Sequence, residues 1–316
     1  MTSPLLSRAG AVAAEGLDLG VAAHYGDPYA EQRALAGGQA VVDLSHRPVL
    51  RIAGPDRLSW LHSLLSQHVA ALPPGEWTEA LVLSPQGHVE HHLTLVDDGT
   101  QVLAHVEPGT AEALLGYLDR MRFMLRVEVE DVTAAYAVLH SSGTDRFVPR
   151  SSLESVSEPL AGIAAFEALR VEARRPRLGV DTDHRTIPHE VGWLGTTVHL
   201  DKGCYRGQET VARVYNLGRP PRRLVLLHLD GSDSELPTTG DAVSLEGRDV
   251  GRVGTAVRHH LLGPVALAVV KRQVPDDASL LAGGVAASID AEPAFEAPVS
   301  PARQAAAARE GLLRRR

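Results

Sequence analysis

Apolar positions along the first 220 residues follow two different periods. Helical spacing of apolar residues predicts amphipathic helices over residues 55–69, over a segment that opens at 107–109 and continues through Met121, and over Leu160–Val171. Short apolar runs bounded by turn residues predict strands at Val49–Ile52, Ala80–Leu83, His88–Val96, Gln101–Val106, Val127–Val132 and Tyr136–Leu139. Short strands that alternate with amphipathic helices are typical of an α+β fold rather than of a doubly wound parallel sheet.

The pattern changes after Arg222. Four short β-like runs follow, separated by glycine, proline and aspartate and with no helical period between them: Leu224–Leu229, Ala242–Leu245, Val253–Arg258 and Val265–Val270. This region of ~70 residues predicts a small β-barrel or sandwich, and the Pro220-Pro221 pair marks the boundary before it. Beyond residue 291, prolines, an alanine run and a terminal Arg-Arg-Arg predict a disordered tail.

Composition and charge narrow the functional classes. The chain has 316 residues, with 31 lysines and arginines against 39 aspartates and glutamates, and a formal net charge of −8. Such a chain is not expected to bind nucleic acid directly, because phosphate neutralisation requires an accumulated basic surface. No apolar run approaches the ~20 residues that span a bilayer, and no signal-peptide pattern is present at the N-terminus. We therefore expect a soluble cytoplasmic protein of two or three compact units without membrane contact.

Cys204 is the only cysteine in the sequence. A single thiol excludes an intramolecular disulfide, a CxxC zinc or dithiol site and a complete four-thiolate iron–sulfur site within one chain. Gly203 and Gly207 flank the thiol, and the residues from Glu209 to Tyr215 predict a short helix that stops at Gly218. The sequence therefore places the thiol in a tight turn just before a helix N-terminus.

That position affects the expected chemistry of the thiol. The positive end of the helix dipole, together with Lys202 and Arg206 nearby in sequence, favours the thiolate. This arrangement suits a nucleophilic, redox-active or metal-donating cysteine. A buried and inert thiol with coincidentally placed charges is the alternative that the local sequence leaves open.

Glu172 lies at the end of a predicted helix, in the segment Leu169-Arg170-Val171-Glu172. A carboxylate can bind the aminopyrimidine edge of a guanine-like or pterin ring through paired hydrogen bonds. A glutamate on a helix face is far more often solvated or salt-bridged, so this residue alone indicates little.

Three motifs follow one another in the second half of the chain: Gly179-Val180-Asp181, residues 186–190 (Thr-Ile-Pro-His-Glu) and residues 202–209 (Lys-Gly-Cys-Tyr-Arg-Gly-Gln-Glu). Together they resemble the YgfZ folate-binding family, which is related to the T-protein of glycine cleavage, a tetrahydrofolate-dependent aminomethyltransferase. Flanking segments extend the resemblance over residues 25–290: Val42–His46, Gly54–Asp56, Leu72–Gly75, Leu83–Gly87, Arg222–Val225 and Gly263–Ala268.

The resemblance implies an arrangement of domains. It implies two α+β units, the second ferredoxin-like, and a small C-terminal β-barrel, all around a central channel that binds tetrahydrofolate. The corresponding segments are an N-terminal extension (1–24), a first α+β domain (25–125), a ferredoxin-like domain with the 202–209 motif (126–219), the barrel (220–290) and a disordered tail (291–316).

The resemblance also implies a function and a set of site residues. The implied function is that of a tetrahydrofolate-binding accessory protein in iron–sulfur cluster assembly or repair, in support of iron–sulfur enzymes such as those that modify tRNA. Its partners would be iron–sulfur assembly factors or client enzymes, without classical turnover and without a permanently bound metal. Cys204 and Lys202 are the implied catalytic residues, Glu172, Arg170, Tyr205, Gln208 and Glu209 the implied cofactor ligands, and Gly203 and Gly207 the backbone positions of the motif. Glu172 falls where the Leu-Arg-x-Glu segment of the T-protein supplies a carboxylate that contacts the pterin.

The T-protein has a pair of aspartates after a glycine turn, and one of the two acts on the folate. This chain differs from the T-protein at that pair. Aligned from Gly87, this chain has His91 and His92 at the pair, and histidine does not supply the same fixed negative charge. Glu90 is a possible substitute, but strand alternation directs it to the face opposite His91. Glycine-cleavage chemistry is therefore not expected, and a folate-dependent one-carbon transferase with another substrate is the alternative.

Two further alternatives concern histidines. In a cysteine hydrolase, His189 or His199 would activate Cys204. In a metal site, His88, Glu90 and His92 would share one face of a strand. The chain has 15 histidines, so such a cluster arises easily, and a solvent-facing strand edge is the simpler interpretation.

Overall fold

The computed structural model describes residues 1–232 and 235–295. The α-helices of this part of the chain are α1 (Pro28–Ala36), α2 (Arg57–Leu64), α3 (Ala111–Met121), α4 (Ile163–Glu172) and α5 (Gln208–Leu217), and short 3₁₀ helices lie at Pro4–Ser7, Gly16–Asp18, Arg150–Ser155 and Pro188–Glu190. Helices α2 to α5 confirm the predicted helices. Helix α1 was not predicted, because its buried positions include Glu31 and Gln32 as well as Leu35. Across the described ranges, no helix is both long and apolar enough to cross a bilayer.

The strands of the described chain form three main sheets. They are β1 (Val12–Ala13), β2 (Ala22–His24), β3 (Val41–Asp43), β4 (Val49–Ala53), β5 (Trp77–Leu83), β6 (Val89–Asp97), β7 (Gln101–His105), β8 (Glu128–Asp131), β9 (Tyr136–Ser141), β10 (Thr144–Pro149), β11 (Leu160–Ala161), β12 (Arg222–Leu229), β13 (Ala242–Leu245), β14 (Arg248–His259), β15 (Gly263–Lys271), β16 (Ser279–Ala282) and β17 (Val285–Ile289). A small β1–β2 hairpin lies beside them near the N-terminus.

The first sheet is antiparallel, with the order β5-β6-β7-β4-β8. One of its faces packs against α2 and α3 through Leu61, Leu114 and Leu118, all buried. The other face of β5 carries Leu81 and Leu83, which belong to a separate hydrophobic cluster. Because side chains alternate along a strand, Trp77 and Glu79 lie on this second face.

The second sheet has the order β10-β9-β3-β11 and draws on distant parts of the chain. Strand β3 pairs antiparallel with β9 and parallel with β11. Strand β8 lies beyond residue 126, yet it pairs with β4 in the first sheet. The two sheets therefore exchange strands across the boundary that the sequence places at 125/126, and a local pattern contains no information about that exchange.

The C-terminal strands close a six-stranded barrel in the order β12-β15-β14-β13-β16-β17. Leu227, Val243, Val253 and Val270 are buried in its core. Four of these strands were predicted, whereas the short β16 and β17 were not, and β17 closes the barrel by pairing with β12. The predicted α+β class and the C-terminal β-barrel are confirmed.

Both ends of the described chain pack against the body. Leu5, in the predicted N-terminal extension, is fully buried in a cluster with Leu139 and Leu153. Phe295, in the predicted tail, packs on Gly192, where an added Cβ would lie 2.7 Å from the aromatic ring. The rest of the predicted tail, residues 296–316, lies outside the described residues.

Candidate ligand cavity and cysteine motif

A cavity of about 770 Å³ lies between the two α+β sheets, and we call it the central cavity. Strands β5, β6 and β7 line one side, the β9–β10 hairpin and α4 line another, and residues 173–177, 191–196 and 294–295 complete the wall. Its volume lies within the range of pockets that enclose drug-sized ligands. The fold therefore brings distant segments of the chain to one ligand-sized space.

Aromatic rings form much of this wall. Trp77 lines the cavity and stacks on Phe147, with ring centroids 5.1 Å apart. Trp193 lines it as well and stacks on His92 at 5.0 Å. Such surfaces bind flat, conjugated ring systems.

Glu79 supplies a carboxylate to the same wall. Its Oε2 lies 3.1 Å from Nε2 of His92, and Oε1 accepts a hydrogen bond from the guanidinium of Arg175. Burial raises the pKa of Glu79, but the contacts with His92 and Arg175 outweigh it and lower the pKa to about 2. The cavity therefore contains a carboxylate that stays ionised throughout the physiological range.

Asp145 supplies a second carboxylate, bound by two imidazoles. Its Oδ1 lies 2.6 Å from Nδ1 of His140, and its Oδ2 lies 2.7 Å from Nε2 of His105. Burial raises the pKa of Asp145, and the two histidine hydrogen bonds reverse this and hold the pKa well below its usual value. His140 and Asp145 are direct partners in the β9–β10 register, whereas His105 comes from the first sheet, so the carboxylate also joins the two sheets.

The predicted ligand Arg170 lines the cavity, but its guanidinium is already surrounded by acceptors. It donates to Glu167 (2.5 and 3.1 Å), to Asp181 (2.7 Å), to Oγ1 of Thr255 (2.5 Å) and to the carbonyl of Arg175 (2.5 Å). The side chain is buried. Arg170 therefore joins α4 to the barrel within a network of buried charges.

The predicted ligand Glu172 is exposed and does not line the central cavity. Its carboxylate lies 3.3 Å from Nε2 of His259 in the barrel. The helical period explains this position, because the cavity wall takes Phe166, Leu169 and Arg170 from α4, and Glu172 falls on another face. Glu172 remains a predicted folate ligand, and the cavity carboxylates of the described chain come from other elements.

Lys202, a predicted catalytic residue, is buried with its ammonium among backbone carbonyls. Nζ donates to the carbonyl oxygens of His62, Leu65 and Gln67, at and beyond the C-terminal end of α2. It also lies 5.0 Å from the ring centroid of Tyr205. These contacts hold the 202–209 motif against α2, and the catalytic role of Lys202 stays a prediction.

Cys204 is an exposed free thiol and does not line the central cavity. The next residue, Tyr205, is buried in a hydrophobic cluster with Leu83, Val211 and Trp193. Burial raises the pKa of the Tyr205 phenol to about 12. Trp193 belongs to the cavity wall, so a single apolar cluster connects the thiol loop to the central cavity.

The remaining residues of the motif form the start of α5. Gln208 is the first helical residue, and its Nε2 donates to the carbonyl of Lys202 at 3.3 Å. Glu209 is exposed and lies outside the cavity wall. The helix ends at Gly218 with a left-handed backbone, as predicted. Tyr205, Gln208 and Glu209 stay predicted ligands. In the structure Tyr205 packs in the apolar cluster, Gln208 bonds within the motif and Glu209 is exposed.

The two glycines of the motif differ in what surrounds them. Gly207 has φ +82°, and an added Cβ would lie 2.5 Å from the carbonyl oxygen of Ser84. Gly203 has no heavy atom within 4 Å of the corresponding position. Gly207 is therefore required for the close approach of the motif to the β5–β6 turn, and Gly203 is not.

We expect Gly207→Ala to lower the free energy of unfolding by about 3 kcal/mol, because a left-handed alanine and a backbone clash both cost energy. Gly203→Ala is the matched control, and we expect a change of at most about 0.5 kcal/mol. Urea unfolding followed by circular dichroism measures both. Equal losses in the two variants would contradict the role given to Gly207.

The histidines that the sequence singles out do not form a second site. His92 contacts Glu79, and Glu90 pairs with Arg206 at 3.0 Å, so neither is available to a shared metal. Within residues 1–232 and 235–295, no group of three or more His, Cys, Asp or Glu side chains is arranged to hold a metal ion. His91 lies buried on the other face of β6, where burial lowers its pKa to about 4.

The histidines proposed for a cysteine hydrolase are also separate from the thiol. His189 is buried, and neither of its ring nitrogens has a hydrogen-bond partner. His199 accepts a hydrogen bond from the backbone N–H of Asp201 at 3.2 Å. The described chain contains no hydrogen bond from either imidazole to Cys204, so an activated dyad is not present.

Two family models match this chain. Residues 4–145 match the GCVT N-terminal domain, and residues 222–296 match the CAF17, C-terminal beta-barrel domain. The chain therefore combines a domain similar to the GCVT N-terminal domain with a domain similar to the CAF17 C-terminal β-barrel. The matched segments lie on either side of the region that contains α4 and the cysteine motif.

Curated relatives carry transferase names. A putative chloroplastic transferase of Arabidopsis thaliana is 23% identical over 276 residues, which cover 70% of this chain and 62% of the relative. An aminomethyltransferase of Symbiobacterium thermophilum is 32% identical over 142 residues, which cover 44% of this chain and 34% of the relative. This chain thus spans less than two thirds of the length of either protein.

A solved structure shares the fold of the family over nearly the whole chain. The crystal structure of glycine cleavage system aminomethyltransferase T from Bartonella henselae matches with a TM-score of 0.77, covering 93% of this chain and 97% of that chain at 17% identity. The mixed α+β GcvT-like fold with a closed C-terminal barrel is therefore established. At this identity the likeness concerns the fold alone.

Several residues of the cavity wall were missed in the sequence. Trp77 and Glu79 precede the predicted strand Ala80–Leu83, although the period of two continues back through them. Asp145 lies in the unpredicted strand β10, and its partners His105 and His140 are far apart along the chain. Extending the strand period would have found the first two residues, and no local pattern would have found the Asp145 cluster.

Proposed function

We propose that this chain binds tetrahydrofolate or a derivative in the central cavity and acts as an accessory protein in iron–sulfur cluster assembly or repair. Its clients would be iron–sulfur enzymes such as those that modify tRNA, and its partners the client enzymes or assembly factors. It would act in the cytoplasm, without direct contact with nucleic acid or membrane. The observation that carries this proposal is a ligand-sized cavity with aromatic walls and two ionised carboxylates in a GcvT-like fold.

The residues of the cavity fit a reduced folate. A pterin is flat and presents amino and ring N–H donors along its edge. Trp77 and Trp193 offer flat surfaces, while the carboxylates of Glu79 and Asp145 offer acceptors. Arg174 and Arg175 line the same wall, so the cavity presents donors as well as acceptors to a ligand that carries both kinds of group.

The exposed thiol supports the second half of the proposal. Lys202 and Gly207 fix the loop around Cys204, and the thiol itself remains accessible to a partner protein. The cluster that contains Tyr205 and Trp193 provides a packed route by which ligand binding affects the loop. Cys204 would act by contact, by electron transfer or as a transient ligand of a cluster delivered by the partner.

One observation favours a second candidate, a folate-dependent one-carbon transferase. Glu79 lies on the strand next to His92 and contacts its imidazole, so a fixed negative charge is present beside the position of the T-protein aspartates. The transferase names of the relatives agree with this candidate. Turnover of methylene- or formyl-tetrahydrofolate by the purified protein alone would favour it over the accessory role.

Calorimetric titration with tetrahydrofolate tests the binding site. We expect Glu79→Gln to weaken binding by about 10- to 100-fold, because a charge-assisted hydrogen bond contributes about 1.5–3 kcal/mol. Glu172→Gln is the matched control, since the same change at a residue outside the cavity should alter affinity by less than about threefold. Loss of binding in Glu172→Gln alone would place the pterin elsewhere, and absence of binding by the parent would overturn the proposal.

The role of the thiol requires a separate measurement. We expect Cys204→Ala to bind tetrahydrofolate with unchanged affinity but to fail to restore iron–sulfur enzyme activity in a deletion strain. Full restoration by Cys204→Ala would contradict a function of the thiol while leaving the folate site intact.

A further inference from the structure

We propose that His140, held by Asp145, is a hydrogen-bond acceptor that makes the central cavity select a reduced pterin over an oxidised one. This inference rests on the proposed folate site and adds the residue that senses the oxidation state of the ring. Asp145 acts through His140 and is a positioning residue.

The Asp145 cluster determines where the imidazole hydrogens lie. An ionised carboxylate only accepts hydrogen bonds, so both nitrogens that contact Asp145 carry hydrogen: Nδ1 of His140 at 2.6 Å and Nε2 of His105 at 2.7 Å. The proposal concerns His140 in its neutral form, in which Nε2, the nitrogen opposite the one that contacts Asp145, carries a lone pair. Each imidazole thus has a defined tautomer and one acceptor that points away from the carboxylate.

The two acceptors differ in accessibility. Nδ1 of His105 is buried, and the ring is almost fully enclosed. His140 lines the cavity with 14% of its side chain exposed, and no described residue hydrogen-bonds to its Nε2. The ring is held edge-on to Phe166, with centroids 4.9 Å apart. Nε2 of His140 is therefore the acceptor that a ligand can reach.

A purely structural role explains the hydrogen bond between Asp145 and His105 but not the one between Asp145 and His140. The bond between Asp145 and His105 joins the two sheets, because the residues come from β10 and β7. His140 lies opposite Asp145 in the same hairpin, so its bond joins no separate elements. What the His140 bond does achieve is to fix the tautomer and orientation of an imidazole in the cavity wall.

The chemistry of the pterin gives this acceptor a selective effect. In tetrahydropterin, N5 and N8 each carry a hydrogen and donate hydrogen bonds. In the oxidised ring the same nitrogens carry lone pairs and can only accept. The 2-amino group and N3–H donate in both oxidation states, so we place N5 or N8 of the pterin at Nε2 of His140. There the lone pair accepts from the reduced ring and opposes the oxidised ring. Sites built to form a hydrogen bond discriminate strongly against analogues that lack the matching group.

The test compares affinities for tetrahydrofolate and folic acid by calorimetry under anaerobic conditions. We expect the parent to prefer tetrahydrofolate by at least about tenfold, and His140→Phe to reduce that preference to within about threefold. Phenylalanine keeps a ring of similar size but has no acceptor. His184→Phe changes an exposed histidine outside the cavity, and the preference should remain that of the parent.

The possible outcomes separate this inference from the folate site itself. Tetrahydrofolate binding by the parent without preference over folic acid, or a preference that survives in His140→Phe, would overturn the inference and leave the folate site standing. Binding of neither compound would overturn the proposed function instead.

If His140→Phe shows no cooperative unfolding transition, the variant is not folded, and NMR of the parent protein tests the inference instead. Nitrogen-15 NMR of its labelled imidazoles should then show the Nδ1–H tautomer of His140, and a change at Nε2 with tetrahydrofolate but not with folic acid. An Nε2 resonance that responds to neither compound would contradict the inference.

Discussion

Replacement of Arg170 by methionine should lower the free energy of unfolding by about 3–5 kcal/mol, the range for breaking a buried ion pair by removing one partner. The guanidinium bonds to Glu167 and Asp181, and both carboxylates are buried. Methionine approximates the length of the arginine stem but leaves buried Asp181 without its cation and Glu167 with only Arg177, 3.6 Å away. Urea unfolding at neutral pH, followed by fluorescence and circular dichroism, measures the loss.

Arg146→Met is the matched control for this variant. Arg146 pairs with Glu158, and both side chains are nearly half exposed, so the same substitution should cost less than about 1 kcal/mol. A loss below about 1 kcal/mol in Arg170→Met would show that the network does not stabilise the fold. The guanidinium would then be available to a ligand, as the resemblance implies.

Replacement of Lys202 by methionine should lower the free energy of unfolding by about 3 kcal/mol. The ammonium donates to the carbonyls of His62, Leu65 and Gln67, and its removal leaves buried acceptors unsatisfied. A cation at the C-terminal end of α2 also interacts favourably with the helix dipole. Thermal and urea unfolding measure this loss.

The second lysine of the chain, Lys271, provides the control. Lys271 is exposed and donates only to the carbonyl of Asp249, at 2.9 Å, so Lys271→Met should cost at most about 0.5 kcal/mol. If Lys202→Met were as stable as the parent but failed in cells, the result would support the predicted catalytic role of Lys202 and contradict a purely positioning role.

Both variants concern cations that the family resemblance assigns to the site. Arg170 has five hydrogen bonds inside the protein, and Lys202 has three to backbone carbonyls. A motif in the sequence shows that a charged residue is present, but not which acceptors surround it. The surrounding acceptors come from α2, from residues 175–181 and from the barrel, and only the folded chain brings them together.

Much of the fold was predictable from local pattern. Helix α3 and strands β5 to β7 follow directly from the helical period of three to four residues and the strand period of two. The barrel followed from short runs between turn residues. Helix α1 was not predicted, because its buried face is not apolar. It contains Glu31, whose carboxylate accepts hydrogen bonds from the backbone N–H groups of Tyr25 and Gly162.

Only part of the candidate site could be predicted from the sequence. The cysteine motif was visible in sequence, since glycines, a single thiol and a following helix lie within a short stretch, and the start of α5 next to Gly207 agrees with it. The cavity was not visible as a set of residues. Glu79, Asp145 and His140 meet only because β5 and the β9–β10 hairpin belong to sheets that face the same space.

The local sequence pattern was enough to predict an α+β protein with a terminal barrel and a thiol in a turn before a short helix, because hydrophobic period and turn chemistry act over a few residues. Whether that thiol is exposed or buried was left open by the sequence and decided by the structure. Contacts between residues up to 140 positions apart decided which carboxylates enter the cavity, which cations bond within the fold and which strands pair across the two sheets. Such contacts have no local pattern, since burial and hydrogen-bond partners arise only when distant segments pack together.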